Sequence, residues 1–129
     1  MAGDFLLDTN VVTAIRRAEE AVIARLDAQT HLFVSSTVAG ELYFGAEHSK
    51  RRTENLAEVE AFLLRVVVLP CDLDTAAIYG AIKAALAVSG RMIPDNDIWI
   101  ASVAKQYNLT LVSRDQHFDH VPALNLAVW

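Results

Sequence analysis

The sequence predicts an α/β fold, a three-layer α/β/α sandwich around a mainly parallel sheet of about five strands. Three observations lead there. Short apolar, β-branched runs alternate with segments of helical period along the chain. Strand and helix alternation of this kind favours parallel strands joined by right-handed crossovers, with helices on both faces. Aspartates also stand just past two of the strand-like runs, at the sheet edge where such folds bind ligands. With 129 residues, 53% of them hydrophobic, and no linker, repeat or low-complexity tract, residues 1–129 read as a single domain.

The elements follow in order. Phe5-Leu6-Leu7 is the first strand; Val11, Val12 and Ile15 then fall at helical spacing, and Val22, Ile23 and Leu26 repeat it on a second short helix. A second strand near His31 to Ser35 leads into a helix from about Thr37 to Glu47, with Ser36 as its N-cap. Leu56, Val59, Phe62 and Leu63 mark another amphipathic helix, and the run Val66 to Leu69, ended by Pro70, is strand three. Asp72 or Asp74 starts a long alanine-rich helix that Ser89-Gly90 stops. After Pro94, the stretch from Asp97 through Ile98, Trp99, Ile100, Ala101, Val103 and Ala104 is apolar nearly all round, which predicts a helix buried between neighbours. Leu109 to Val112 is strand four, and Leu124 to Val128 offers a fifth.

Composition narrows the function. Eleven Lys and Arg against sixteen Asp and Glu give a formal charge of −5, which argues against a protein that coats nucleic acid nonspecifically. It leaves room for a nucleic-acid enzyme whose acids are neutralised by cations. Local basic residues, Arg16-Arg17, Lys50-Arg51-Arg52, Arg91 and Arg114, are candidates to grip phosphates, or solvated helix ends. The lone Cys71 excludes an internal disulfide and a cysteine-based zinc cluster. No apolar run approaches the ~20 residues of a membrane span, and the N-terminus has no signal-peptide pattern, so a cytoplasmic protein is expected.

Asp8, Glu41, Asp97 and Asp115 carry the chemistry. Asp8 closes the first strand, Asp115 follows the fourth, Asp97 enters an apolar helix, and Glu41 lies one turn inside a helix with Val38, Leu42, Tyr43 and Phe44. Each has an ordinary alternative: Asp8 and Asp97 as helix caps, Asp115 as a turn residue, Glu41 as the partner of a buried arginine. Together they describe a metal site. Hard cations such as Mg²⁺ and Mn²⁺ prefer oxygen ligands and phosphate substrates. Without an ion, such a cluster repels RNA; with one it binds phosphate.

At these residues the chain resembles the PIN-domain ribonucleases, and among them the VapC toxins of bacterial and archaeal type II toxin-antitoxin pairs. The resemblance rests on Leu6-Leu7-Asp8-Thr9-Asn10, on Ser36 through Gly45, on Asp97-Ile98-Trp99-Ile100-Ala101, and on Leu111 through Phe118, four motifs in order over essentially the whole chain. It implies a PIN-like, Rossmann-like topology with Asp8, Glu41, Asp97 and Asp115 as metal-binding and catalytic residues. It further implies a Mg²⁺- or Mn²⁺-dependent endoribonuclease that cuts tRNA or another structured RNA and so stops translation. Its implied partners are a VapB-like antitoxin, whose C-terminal segment wraps the toxin, and a second copy of the chain in a homodimer. Asp8 and Asp97 would be the principal ligands, Asp115 the next, and Glu41 a ligand or a general base.

Thr9, Asn10, Ser113 and Asp95 are candidates to orient the carboxylates, with local turn and cap bonding as the alternative for the first three. Asp97 is preferred to Asp95 because it directly precedes the Ile-Trp-Ile-Ala run; Asp95 reads as the cap of that helix, and Asp119 is a lesser contender for the fourth site. His48, His117 and His120 read as surface residues, since their spacing matches no zinc motif. A haloacid-dehalogenase phosphatase would need an acid where Asn10 stands, and a receiver module an acidic pair at the first strand's end. The remaining alternative is a non-catalytic PIN-like module that binds RNA or a protein.

Overall fold

The computed structural model describes residues 3–27 and 30–129. Five strands, β1 (Asp4–Leu7), β2 (His31–Ser35), β3 (Val67–Leu69), β4 (Thr110–Val112) and β5 (Leu126–Ala127), form one sheet in the order β3-β2-β1-β4-β5, and every pair is parallel. Six α-helices connect them: α1 (Thr9–Arg16), α2 (Glu20–Ile23), α3 (Ser36–Glu47), α4 (Arg52–Leu63), α5 (Leu73–Ser89) and α6 (Asp95–Gln106). A 3-10 helix, Gln116–His120, follows β4.

This order creates a cleft. From β1 to β3 the chain steps in one direction across the sheet, then returns past β1 to β4 and continues the other way. With right-handed crossovers, the helices of the first half lie on one face, and α5 and α6 on the other. The chain therefore leaves neighbouring strands β1 and β4 toward opposite faces, and a crevice opens beyond their carboxyl ends. Register places the acids there. Leu7 pairs with Val112, so Asp8 and Ser113 emerge side by side, and the Asp8 N–H still donates to the Val112 carbonyl at 3.0 Å.

The core explains why these runs became central strands and α6 a buried helix. Leu6, Leu7, Val34, Leu111 and Val112 of the sheet pack with Val11 and Val12 of α1, Leu86 of α5, and Ile98, Ile100 and Ala101 of α6. Each large apolar side chain buried in this way contributes about 1.5–3 kcal/mol before entropic costs. Tyr79 stacks on Trp99 at 4.1 Å between ring centroids and joins α5 to α6. No helix among the described residues is long and apolar enough to cross a membrane.

Several boundaries differ from expectation for local reasons. Ser35, not Ser36, caps α3: its backbone is extended and its hydroxyl accepts from the Val38 N–H at 3.1 Å, so the helix begins one residue early. Asp72 rather than Asp74 caps α5, through a capping box with Thr75, and Gly90 ends that helix at φ 71°, a conformation that favours glycine. Helix α6 starts at Asp95, with Pro94 in the cap position and no side-chain cap bond; Asp95 is therefore the first helical residue, not the cap, and Asp97 lies in the first turn. β5 shrinks to the two residues that pair with β4, with Leu126 and Val128 exposed and Ala127 turned inward beside Val112. The 3-10 helix had no periodic signal to announce it.

Candidate metal centre

Each acid is held by the local structure that its sequence neighbourhood dictates. Asp8 has an extended backbone and caps α1, its Oδ1 accepting from the Thr9 N–H at 2.8 Å. Its other oxygen, Oδ2, accepts from the Ser113 hydroxyl at 2.6 Å and the Asn10 amide at 3.4 Å. Ser113 is shared: its Oγ also accepts from the Asp115 N–H at 2.9 Å. Asp8 thus caps α1 through one oxygen and meets Ser113 and Asn10 through the other.

Asp115 caps the 3-10 helix, accepting from the His117 N–H at 2.9 Å. That helix turns the His117 ring back over the cleft, where Nδ1 lies 3.0 Å from Asp97 Oδ2 and 3.1 Å from Asp115 Oδ1. Asp97, Asp115 and His117 can each offer a ligand atom within 4.8 Å of the others. His117, an ordinary surface histidine by its sequence spacing, is half exposed and yet bridges two carboxylates. A three-dimensional turn brings it in, and only its position two residues past Asp115 could have signalled it.

Glu41 stands on α3 and is not among those three residues. It is half-buried, and its partner is not a buried arginine: the Thr9 hydroxyl donates to Oε1 at 2.8 Å. It stands between two grooves, one of about 390 Å³ lined by Thr9, Thr13, Arg16, Arg17 and Glu58, the other of about 650 Å³ lined by Ser36, Thr37, Gly40, Phe44 and Asn96. Most of the remaining candidates have partners of their own. Asp95 pairs with Lys83 at 3.0 Å and accepts from Tyr79 at 2.9 Å, and Asp119 is exposed on the 3-10 helix. The Arg114 backbone N–H donates to Asn10 Oδ1 at 3.2 Å, while its guanidinium meets Glu19 at 2.9 Å. Arg16 pairs with Glu58 at 3.0 Å, and Arg17 caps the end of α1. Exposed Lys50 lies in the α3–α4 turn, beside the pairs Arg51–Glu54 and Arg52–Glu47. Arg91 approaches His120 at 3.4 Å.

Electrostatics mark the cleft as deficient in positive charge. Burial pushes the Asp8 carboxyl above its usual range against the pull of Ser113 and Thr9, and the Asp115 charge adds to the push. Burial likewise raises Asp97; the His117 hydrogen bond opposes this, and the charges of Asp8 and Asp115 reinforce it. His117 is raised in turn, chiefly by its bond to Asp97. Carboxylates that converge, repel and resist ionisation have the donor chemistry of a divalent-cation site, and an ion there would relieve all three effects.

Comparison with known proteins identifies the family of the chain. The PIN domain family matches residues 5–124, nearly the whole chain. The chain is also 38% identical over 128 residues to Ribonuclease VapC2 of Haemophilus influenzae, covering 97% of each. This chain belongs to the VapC branch of the PIN domain family. Over 128 residues it is 34% identical to the tRNA(fMet)-specific endonuclease VapC of Shigella flexneri, again covering 97% of each chain. Among solved structures, DNA-bound VapBC from Salmonella typhimurium superposes with a TM-score of 0.90 at 33% identity, covering 100% of this chain and 99% of that one.

Proposed function

We propose that Asp8, Glu41, Asp97 and Asp115 form the active centre of a divalent-metal-dependent endoribonuclease, the toxin of a VapBC-type pair, which cleaves tRNA or another structured RNA and so inhibits translation and growth. The observation that carries this reading is the convergence of Asp8, Asp97 and Asp115 at the β1–β4 crevice, where burial and mutual repulsion raise Asp8 and Asp97. Kinship with a tRNA(fMet)-specific endonuclease supports tRNA as the substrate. A relative solved as VapBC supports a VapB-like antitoxin as the protein partner. The site of action is then the cytoplasm, and the acting form a homodimer.

The donor set suits Mg²⁺ or Mn²⁺, held by Asp8, Asp97 and Asp115. When bound, such an ion offers positive charge to the scissile phosphate and lowers the pKa of a water. The protein's own groups do the rest. Ser113 fixes Asp8 and the Asp115 backbone together, so the two carboxylates keep their spacing as substrate arrives. Glu41, held through Oε1 by Thr9, is set to take a proton from the attacking water at Oε2. Arg114, on the loop beside Asp115, and Arg16 and Arg17, on the groove next to Glu41, are the nearest candidates to hold flanking phosphates.

The test is incubation of a total tRNA pool with purified, antitoxin-free protein. Discrete fragments with Mg²⁺ or Mn²⁺, lost with EDTA and lost in Asp97→Asn, are expected. Intact RNA, with metal bound and no growth arrest on expression, would instead make the chain a binding module.

A further inference from the structure

We propose that His117 is itself a ligand of the metal centre, through Nδ1, and that this nitrogen shifts the site's preference from Mg²⁺ toward later divalent ions such as Co²⁺ and Ni²⁺. The inference rests on the metal-dependent reading above and extends it to a residue type outside the four carboxylates.

The spacing of these hydrogen-bonded groups also fits adjacent positions of a coordination shell. In an octahedral site with bonds of about 2.1 Å, adjacent ligand atoms lie about 3.0 Å apart. His117 Nδ1 stands 3.0 Å from Asp97 Oδ2 and 3.1 Å from Asp115 Oδ1, the spacing of two edges of such an octahedron. The candidate ligand atoms of the three residues also fall within 4.8 Å of one another, which accommodates adjacent positions at about 3.0 Å and opposite ones at about 4.2 Å.

His117 is moreover anchored where it stands. Its backbone N–H donates to Asp115 Oδ1 at 2.9 Å, so the residue and one carboxylate move as a unit. Phe118, 1% exposed, roots the 3-10 helix in the core. The ring itself is 47% exposed, which lets Nε2 carry its proton into solvent and leaves the Nδ1 lone pair for a cation. An all-carboxylate site suits Mg²⁺, Ca²⁺ and Mn²⁺, whereas an imidazole favours ions later in the first transition row. The alternative role is a proton-bearing clamp that joins two acids in the metal-free protein and swings away when an ion enters.

These roles predict opposite results in the full chain. Mn²⁺, used as the spectroscopic probe, should show nitrogen hyperfine coupling in wild type that disappears in His117→Ala and persists in His120→Ala, a change on the same 3-10 helix. By calorimetry, His117→Ala should lose about tenfold in Ni²⁺ affinity while Mg²⁺ affinity changes by less than about threefold. A cooperative thermal melt of His117→Ala would show that the variant is folded. Mn²⁺ bound without nitrogen coupling, or His117→Ala binding both ions more tightly, would overturn the ligand role and leave the acid centre intact. Wild type that binds no divalent ion, in the same way as Asp97→Asn, would overturn the metal reading itself.

Discussion

Asp8 and Asp97 carry the clearest physical signature, because each prefers its proton in the folded chain more than in the unfolded one. For a carboxyl raised above its ordinary value of 3.8, native stability is greatest at low pH and is lost as pH rises through the raised folded value. His117 acts in the same direction at higher pH: its contribution is full below 6.5 and is lost as pH climbs through its own raised value. A cation that replaces these protons reverses the trend. The rise in Tm on adding Mn²⁺ should therefore be small near the ordinary carboxylate value and grow with pH until the raised groups have ionised; a gain independent of pH would contradict the account. Asp97→Asn removes charge but keeps shape. Its metal-free Tm should equal or exceed that of wild type, while cleavage falls by roughly 10³-fold, the scale of several kcal/mol of lost transition-state stabilisation. A marked loss of Tm would mean that the Asp97 charge was favourably partnered rather than repelled.

At the level of elements, caps and turns set where the acids stand. Asp72 holds the start of α5, and its carboxyl is kept below the usual range, first by the Thr75 N–H and then by Gln106 and the Thr75 hydroxyl. Its stabilisation is therefore present above 3.8 and lost as pH falls through the lowered folded value. Asp72→Ala should lower Tm by a few degrees at neutral pH, whereas Asp72→Asn should retain most of the cap. Ala123 tests the turn between the 3-10 helix and β5. It sits at φ 55°, a region that costs a side chain, so Ala123→Gly should raise Tm by roughly 2–4 °C. A fall in Tm would show that the Ala123 methyl packs more than its backbone strains.

Across the whole molecule, the legible part of the sequence is the part governed by periodicity and burial. Leu6-Leu7 before Asp8, and Leu111-Val112 before Ser113, announce two strands and the acids at their ends, because fully buried parallel strands need continuous apolar runs. The apolar circumference of α6 likewise announces a buried helix with a charge at its entrance. What stayed hidden depends on tertiary placement. Glu41 finds Thr9, thirty-two residues away, and His117 finds Asp97, twenty residues away, only after the sheet has set their distances. Ser35 and Ser36 are chemically equivalent candidates, and only the extended backbone of Ser35 makes it the cap. Asp95, an acid on the same turn as Asp97, is drawn instead to Lys83 and Tyr79 by the packing of α5 on α6.

If these carboxylates perform metal-dependent hydrolysis of RNA, the chemistry of the fragment ends will report it. Attack by water on the phosphodiester, with its proton taken at Glu41 and the P–O3′ bond breaking so that the 3′-oxygen leaves as a hydroxyl, gives fragments ending in 5′-phosphate and 3′-hydroxyl, formed only with divalent metal and absent in Asp97→Asn. Fragments ending in 2′,3′-cyclic phosphate, formed equally in EDTA, would mean that the RNA's own 2′-hydroxyl is the nucleophile and that the acid centre is not the site of cleavage.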